Sequence, residues 1–574
     1  MKQILLALLG SFALSAGATN ELDLELNKYY KSNGVVVKNE SVDDYTLVRR
    51  IYIDLAGRIP KYQEIQEFVK DRNPNKKLLL VDKILNSEDY TNNFYNFWAD
   101  ILRIRIERLS DDVGFLKSYP YIDYIKDVIR TDKPYNKFAN ELLTSTGDIT
   151  SNPATSYLIK DVAMPLDNLA NTVQILIGKN LECAQCHDDM FQPYSQRQFY
   201  EMAAFFGSTE YRSSRKDYAQ FLKKIDEEIK NITKQDRINN QVRQLISSNL
   251  FNARYEPSKV LKLPFDYKYV TNGSPNEVVK PVSVDGRVRV DSGDPRPVFS
   301  KWILNHKDFS NAISNRIWDF VIGMPLVQPI TNFETEAAKN KEIISFLGKY
   351  LESKDYSLKT LTRLIISSDF YARPSYISSM EGYKLQAPLI KRMTAYQVWD
   401  SILTLFLPDV NYSRINYSKY SELVKVNFDA VTGADLLARM EEISKYEKTL
   451  SDNFLNFKGI DLARSAFISN RNGFVGLLLK EFGSSERILI DSANNEGSIT
   501  QMLIFMNSEL ASNLYDFNSE LMQNFEKSQK NKEVIFISML SHPPSFFEKD
   551  TIMKANYKDL VWALLNSKEF LFKK

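Results

Sequence analysis

The sequence predicts a mainly α, multi-helical two-domain protein with a small antiparallel β element between the halves. Three observations predict it. Glycine is scarce, 20 of 574 residues, and glycine is the residue that most weakens helix interiors. Apolar residues recur at three- and four-residue spacing along most of the chain, the period of a helix with one buried face. Strand-type alternation is concentrated in one stretch, residues 258–298, bounded by Gly and Pro. The chain is 44% apolar and 25% charged, which excludes a disordered or fibrous class. With 74 basic and 72 acidic residues there is no basic excess to suggest nucleic acid.

Taken in order, the chain opens with Lys2, an apolar run from Ile4 to Leu14, and the small residues Ser15-Ala16-Gly17-Ala18. This pattern predicts a signal peptide over 1–18 and export to the periplasm or beyond. The apolar run is too short to cross a bilayer comfortably, and no later stretch approaches about 18 apolar residues, so no membrane span is expected after cleavage. Residues 20–45 read as a polar lead-in. A dense run follows, Arg49-Arg50-Ile51-Tyr52-Ile53-Asp54-Leu55-Ala56-Gly57-Arg58-Ile59-Pro60, in which Gly57 and Pro60 stop a helix. Residues 63–69, 76–108, 121–143 (broken at Pro134) and 166–181 carry helical apolar periodicity. Ser195 has the position of a cap for a helix over 195–207. These segments make an N-terminal helical domain, 19–210.

Between 216 and 250, Tyr218, Leu222, Ile225, Ile229 and Ile232 form a heptad-like stripe. It predicts a helical hairpin or coiled-coil insert over 211–257. Residues 258–298 are the small β-rich linker, with Val278, Val282, Val284, Val288 and Val290 among polar residues. The C-terminal helical domain, 299–574, has helices expected near 302–321, 341–352, 357–371, 390–406, 432–448, 472–482, 498–513 and 557–570. One short pattern recurs: Ile84-Leu85-Asn86-Ser87-Glu88-Asp89-Tyr90, Ile365-Ile366-Ser367-Ser368-Asp369-Phe370-Tyr371 and Leu564-Leu565-Asn566-Ser567-Lys568-Glu569-Phe570. The first and last copies suggest a helical module duplicated at the two ends.

The chemistry centres on Cys183-Ala184-Gln185-Cys186-His187, which holds both cysteines of the chain and one of its three histidines. Cys-x-x-Cys-His is the spacing that attaches a c-type haem. The two thiols add to the porphyrin vinyl groups, and the adjacent imidazole ligates iron from one face. Cys183 and Cys186 are therefore the expected attachment points for haem c, with His187 the proximal iron ligand. The second ring nitrogen of His187 then needs a carbonyl or carboxylate partner. Met202, Met164, His306 and His542 are the distal candidates. Two other readings of the same residues stay open. In an oxidising compartment the thiols can form a Cys183–Cys186 disulfide, and the run also suits a partial metal site or redox dithiol. A structural zinc needs four ligands where this run supplies three, and a thioredoxin-like site lacks its βαβ context.

This run continues through Asp188, Phe191, Pro193, Ser195-Gln196-Arg197, Tyr200 and Ala203-Ala204-Phe205-Phe206. Together with Arg49 to Pro60, Asn315-Arg316-Ile317-Trp318, Leu361 to Tyr371, Gln501 to Asn507 and Leu560 to Phe570, it resembles the exported planctomycete-type cytochrome-associated family. Members of that family pair two adjoining domains of unknown function, domain families fifteen-forty-nine and fifteen-fifty-three. The resemblance covers nearly all of the chain after the signal, with 211–260 as a variable insert. It implies a Cys-x-x-Cys-His site and export, and no particular reaction. The chain departs from the family pattern where Asp189 replaces a second histidine, and where a Cys-x-Cys near Leu489-Ile490-Asp491 is missing.

Weaker constellations are Asp188 and Asp189 with Arg197, then Asp291, Asp294 and Arg296 in a Gly/Pro loop, and Arg316 with Trp318 on a helix. No nucleophile elbow, P-loop or dinucleotide fingerprint occurs. The sequence thus points to an exported c-type-haem-like redox protein working with a redox partner protein. The alternatives are a haem-free extracytoplasmic binding or scaffold protein with the disulfide, and an accessory to exported polysaccharide degradation, for which no paired catalytic carboxylates stand out.

Overall fold

Hydroxyl side chains start many of the helices. Ser87, Ser195, Ser357, Thr394, Ser498 and Ser545 each accept a hydrogen bond from the backbone N–H three residues on, satisfying a donor that the first helical turn leaves without an intrahelical partner. The computed structural model describes residues 20–574 except 39, 107–116, 162–163, 213–216, 234, 270, 334–339, 377–381, 413–416, 453–454, 469–472, 491 and 495. The expected signal peptide, 1–18, lies outside the described residues. Within them the chain is mainly helical with short antiparallel strands. No described helix is long and apolar enough to cross a membrane.

Several expected segments resolve differently. Residues 20–45 are no mere lead-in: Glu21–Ser32 is a helix whose Leu22, Leu26 and Tyr30, four residues apart, are buried. The polar residues between them dilute that stripe in the sequence. The single helix expected over 76–108 is two, Lys76–Leu85 and Glu88–Ile101, because Ser87 caps a new start. The same event splits 357–371 at Ser368 and 557–570 at Ser567. These are the three copies of the recurring pattern. In each, the serine hydroxyl donates to the carbonyl three residues back, at 2.7, 2.6 and 2.7 Å, and accepts from the N–H of Tyr90, Tyr371 or Phe570. The repeat is a serine-capped corner that turns one helix into the next and buries an aromatic ring on the exit side.

The strands also fall differently. The largest sheet has three strands in the order β1-β3-β2, from β1 (Gly147–Asp148), β2 (Thr209–Arg212) and β3 (Phe251–Tyr255). Gly147 pairs with Ala253 and Thr209 with Tyr255, all antiparallel. Among the described residues the stretch 258–298 contributes only β4 (Leu261–Lys262) paired with β5 (Val278–Val279), and one bridge between Val282 and Arg289. Pro264, Pro275 and Pro281 interrupt its alternation, and proline cannot donate to a ladder. Between β2 and β3 the insert is a helical hairpin, Tyr218–Ile232 and Asp236–Ser248. Of the expected stripe, Ile225 and Ile229 are buried, joined by Phe221, while Tyr218 and Leu222 are half-buried and Ile232 is exposed. Glu228 accepts from the Gly433 N–H at 2.6 Å, and Phe221 packs on Phe428, so the hairpin docks on the long helix Gly433–Asp452.

Two apolar cores result, and they do not follow the boundary at 299. The first draws on residues 22–385 and takes back Tyr417 to Leu450, Ala466 and Phe467 from the later chain. The second runs from Met393 to Leu571 and includes Ile53 and Ile59 from the beginning. The Arg49–Pro60 run thus lies at the seam, with Ile51, Tyr52 and Leu55 in one core and Ile53 and Ile59 in the other.

Its charged residues fasten the seam. Arg49 donates to the carbonyls of Met539 (3.1 Å) and Phe570 (2.9 Å), and Arg50 to those of Tyr371 (2.5 Å), Arg373 (2.9 Å) and Lys574 (2.7 Å). The double arginine therefore holds two of the three serine-capped corners. Asp54, fully buried, takes Lys573 Nζ at 2.7 Å on both oxygens and the Tyr371 hydroxyl at 2.6 Å. Burial pushes the Lys573 ammonium down to about 8 although Asp54 opposes this. Strand Phe572–Lys573 pairs with Lys391–Arg392 and sets Lys573 in place. Four residues after Asp54, Arg58 pairs with Glu64 and Asp89, both at 2.8 Å. Arg464 reaches the same Asp89 at 2.5 Å, Asp400 at 2.9 Å and the Ala56 carbonyl at 2.8 Å. Burial raises the Asp89 carboxyl, but the two guanidiniums more than offset this and hold it well below the usual carboxylate range.

Candidate functional site

The Cys-x-x-Cys-His loop hangs from a buried stem. Helix Pro165–Ile177 buries Leu169, Val173, Leu176 and Ile177 and ends at Gly178, whose φ of 61° is left-handed. A Cβ there would sit 3.3 Å from the Phe333 ring, and the Phe333 N–H donates to the Gly178 carbonyl at 2.8 Å. The sequence reading ran this helix on to 181; the glycine ends it earlier. Lys179 Nζ then donates to the Tyr194 hydroxyl at 2.9 Å and closes the base of the loop. A short 3₁₀ turn, Glu182–Gln185, carries Cys183, and Cys186 follows directly at its C-terminal cap. Leu181 and Ala184 are buried and plug the turn into the core, while Cys183, Cys186 and His187 are exposed. Both cysteines are free thiols.

His187 is oriented by its neighbour. Its Nδ1 lies 2.7 Å from the Asp188 carbonyl oxygen. A carbonyl can only accept, so Nδ1 carries the proton, and in the neutral ring Nε2 keeps its lone pair. Asp188 is itself fixed on two sides. Its N–H donates to the Tyr269 hydroxyl at 2.8 Å, and its carboxylate accepts from the Gln196 N–H, also at 2.8 Å. Gln196, the first residue of helix Gln196–Gly207, returns its side-chain amide to the Gln185 carbonyl at 3.1 Å. The expected Ser195 cap is present, as a reciprocal box with Gln198.

The residue that replaces the second histidine has a local task. Asp189 accepts from the N–H groups of Phe191 (2.8 Å) and Gln192 (3.2 Å) and so shapes the turn after the motif. Neither aspartate takes Arg197, as the sequence reading allowed; Arg197 pairs with Glu201 at 2.9 Å and Glu277 at 3.0 Å. Beside the motif, Met190 and Phe191 stand 79% and 83% exposed. Such large apolar side chains on one surface loop form a patch that favours being covered. Tyr200 lies close by, its hydroxyl pushed up mainly by burial and further by Cys186.

Three of the four distal candidates are engaged elsewhere. Met202 is fully buried, and its sulfur accepts from the Val284 N–H at 3.1 Å. His306 stacks edge-on against Trp302 and lies 3.7 Å from Asp308, with burial pushing its imidazole down. His542 is 3.0 Å from Glu569 at the C-terminal seam. Met164 is half-exposed ahead of helix Pro165–Ile177.

Most residues of the weaker constellations turn out to be structural. Asp294 holds the buried Arg296 at 2.8 Å, and Arg296 donates to the Ser145 carbonyl, tying β-rich linker to helix Tyr135–Thr144. Asp291 makes exposed pairs with Lys280 and Arg289. Trp318 is a core residue stacked on Phe370. Among the described residues no three His, Cys, Asp or Glu side chains converge as a metal site. Sequence reasoning missed Lys179, Tyr194, Gln196 and Tyr269 as supports of the loop; only the place of Gln196 directly after the Ser195 cap gave a signal.

The donor set fits haem c on its proximal side. Two accessible thiols stand either side of the buried Ala184 and the half-buried Gln185, beside an imidazole whose protonated nitrogen is already taken. Compared with known families, residues 21–211 match the model described as PSCyt2, protein of unknown function (DUF1549), and residues 295–555 match PSD1, protein of unknown function (DUF1553). The chain therefore carries these two domains of unknown function in tandem. No curated protein and no solved structure matches it.

Proposed function

We propose that the chain is an exported c-type-haem redox protein in which Cys183 and Cys186 attach the porphyrin and His187 is the proximal ligand. The observation that carries this is the His187 Nδ1 bond to the Asp188 carbonyl, which leaves Nε2 as the ligating atom beside two accessible thiols. Haem held there would supply a one-electron iron couple. The chain's own residues do the positioning. Ala184 anchors the turn, so that both thiols face outward. Asp188 fixes the ring tautomer through its carbonyl and the loop position through its carboxylate. Met190 and Phe191 offer the apolar surface that a porphyrin face covers. The name of the family matched at 21–211, PSCyt2, points the same way. Export rests on Lys2 and the apolar run from Ile4 to Leu14, and electrons would pass to a partner protein.

The test is an absorption spectrum of the full chain expressed with haem-attachment machinery. The expected result is a Soret band that survives denaturation, a matching gain in protein mass, and loss of both in Cys183→Ala and Cys186→Ala. Absence of the band, with a mass two hydrogens below the dithiol form, would overturn the proposal in favour of a Cys183–Cys186 disulfide in a haem-free binding or scaffold protein.

A further inference from the structure

A second site lies where the two cores meet. A cavity of about 190 Å³ opens between helix Glu88–Ile101, helix Phe309–Ile322, the N-terminal end of helix Ala395–Phe406 and the turn at Gly483. Junctions of this kind are preferred places for small ligands. Its walls differ in character. One is apolar, with Phe97 and Phe320 set edge-to-face at 5.4 Å. The other is polar and held rigid from behind. Asp100 takes the Tyr396 hydroxyl at 2.8 Å and Arg487 at 2.9 Å, while Asn96 is bound by Ser465 at 2.9 Å and Arg487 at 3.2 Å. Groups locked by such outer partners are already set for a ligand before it arrives.

Charge and chemistry narrow the ligand class. The lining holds two carboxylates, Asp100 and Asp319, and two cations, Arg316 and Lys391, so its formal charge is zero. Asp100 is already ion-paired, and Lys391 Nζ donates to the Phe320 carbonyl at 3.3 Å. A charged ligand would meet no excess of opposite charge to repay its desolvation. A wholly apolar ligand would cover the polar wall without bonding the second N–H of the Asn96 amide, which Ser465 and Arg487 leave unused. A neutral ring with hydroxyls on its rim and C–H groups on its face satisfies both walls. We infer that this cavity binds one pyranose-sized sugar unit, its C–H face on Phe97 and Phe320 and its hydroxyls on the Asn96, Asp100 and Tyr396 side. The inference does not rest on the haem reading, because none of these residues belongs to the Cys-x-x-Cys-His loop.

The experiment is calorimetric titration and saturation-transfer NMR on the full chain with the methyl glycosides of glucose, galactose, mannose, xylose and fucose, and with glycine betaine, a zwitterion matched to a lining of two carboxylates and two cations, as the competing ligand class. At least one glycoside binds saturably and glycine betaine does not. Ile330→Trp, which fills the cavity from its half-buried rim, weakens that glycoside by about tenfold or more, as expected when a pocket loses its room for a ring. Phe320→Leu, which removes one ring at the half-buried mouth, is the second variant should the first misfold; each is checked by its melting temperature. Cys183→Ala binds as the parent does, so loss of haem and loss of sugar binding are read separately. Failure of every glycoside to bind a folded protein overturns the proposal. So does binding that both lining variants leave unchanged, or binding of glycine betaine in place of the glycosides.

Discussion

The Cys-x-x-Cys-His loop and the Arg49–Pro60 run are both short and dense in chemistry-bearing side chains, and they are held in opposite ways. Most of the loop's supports come from within about ten residues, Tyr269 being the exception, and its reactive atoms face outward. Arg49, Arg50 and Asp54 of the run are held from 317 to 524 residues away through Tyr371, Met539, Phe570, Lys573 and Lys574, Arg58 pairs nearer by with Glu64 and Asp89, and the charged atoms are buried. With its charged groups buried and held by the protein itself, the run is a fastening. A motif that leaves thiols and an imidazole nitrogen to solvent is a place for a ligand. Residue type does not separate the two cases; where the partners come from does.

The largest expected effect breaks the fastening. Asp54→Ala strands the Lys573 ammonium and the Tyr371 hydroxyl in the core and should cost about 3–5 kcal/mol of stability. In the same urea titration Cys183→Ala, at an exposed position, should shift stability by less than about 0.5 kcal/mol. Equal effects of the two variants would erase the contrast. Next in size is Asp188→Ala, which removes the acceptor for the Gln196 N–H at a helix start, a loss of about 1 kcal/mol. Amide exchange should quicken at Gln196 and leave Tyr371 protected; a global loss of protection would mean that the loop is part of the fastening after all.

The smallest effect is a pH dependence at the C-terminal end of the seam. The hydrogen bond from His542, ahead of the opposing effect of burial, holds Glu569 down at about 2 from its usual 4.5. The same bond raises His542 above its usual 6.5, again against burial. Glu569's contribution is complete above pH 4.5 and lost as pH falls toward 2, and His542's is complete below 6.5 and lost as pH rises through its raised value. The pair therefore adds most stability between pH 4.5 and 6.5. Glu569→Gln should lower the melting temperature most in that window and less above it, where His542 has lost its proton and only the pair with Lys574 remains.

Much of the helical fold was legible because its causes are local. Ser195 announced its helix by position, and the three Leu/Ile-Ser-acid patterns were visible as a recurrence, though not as the capped corner they share. Pro134 and Gly57 stopped helices where they occur. The errors have local causes too. Ser87, Ser368 and Ser567 were passed over as helix breaks because the apolar period continues on both sides. Residues 258–298 alternate like strands, but their prolines leave few donors for a ladder. The Cys-x-x-Cys-His motif was visible at once, whereas its supports at Tyr269 and Lys179 were not.

Periodicity, capping residues and the spacing of two cysteines and a histidine are properties of neighbours in the chain, so the sequence alone determined the helical class, most helix starts and the chemistry offered at residues 183–187. Which core each segment joins, why Arg49 and Arg50 must both be arginine-length donors, and the existence of a cavity between Phe97, Phe320 and Tyr396 were decided only by the tertiary structure. Those features depend on side chains brought together across hundreds of residues by the burial of apolar faces, and apolar periodicity states that a face will be buried without stating against what.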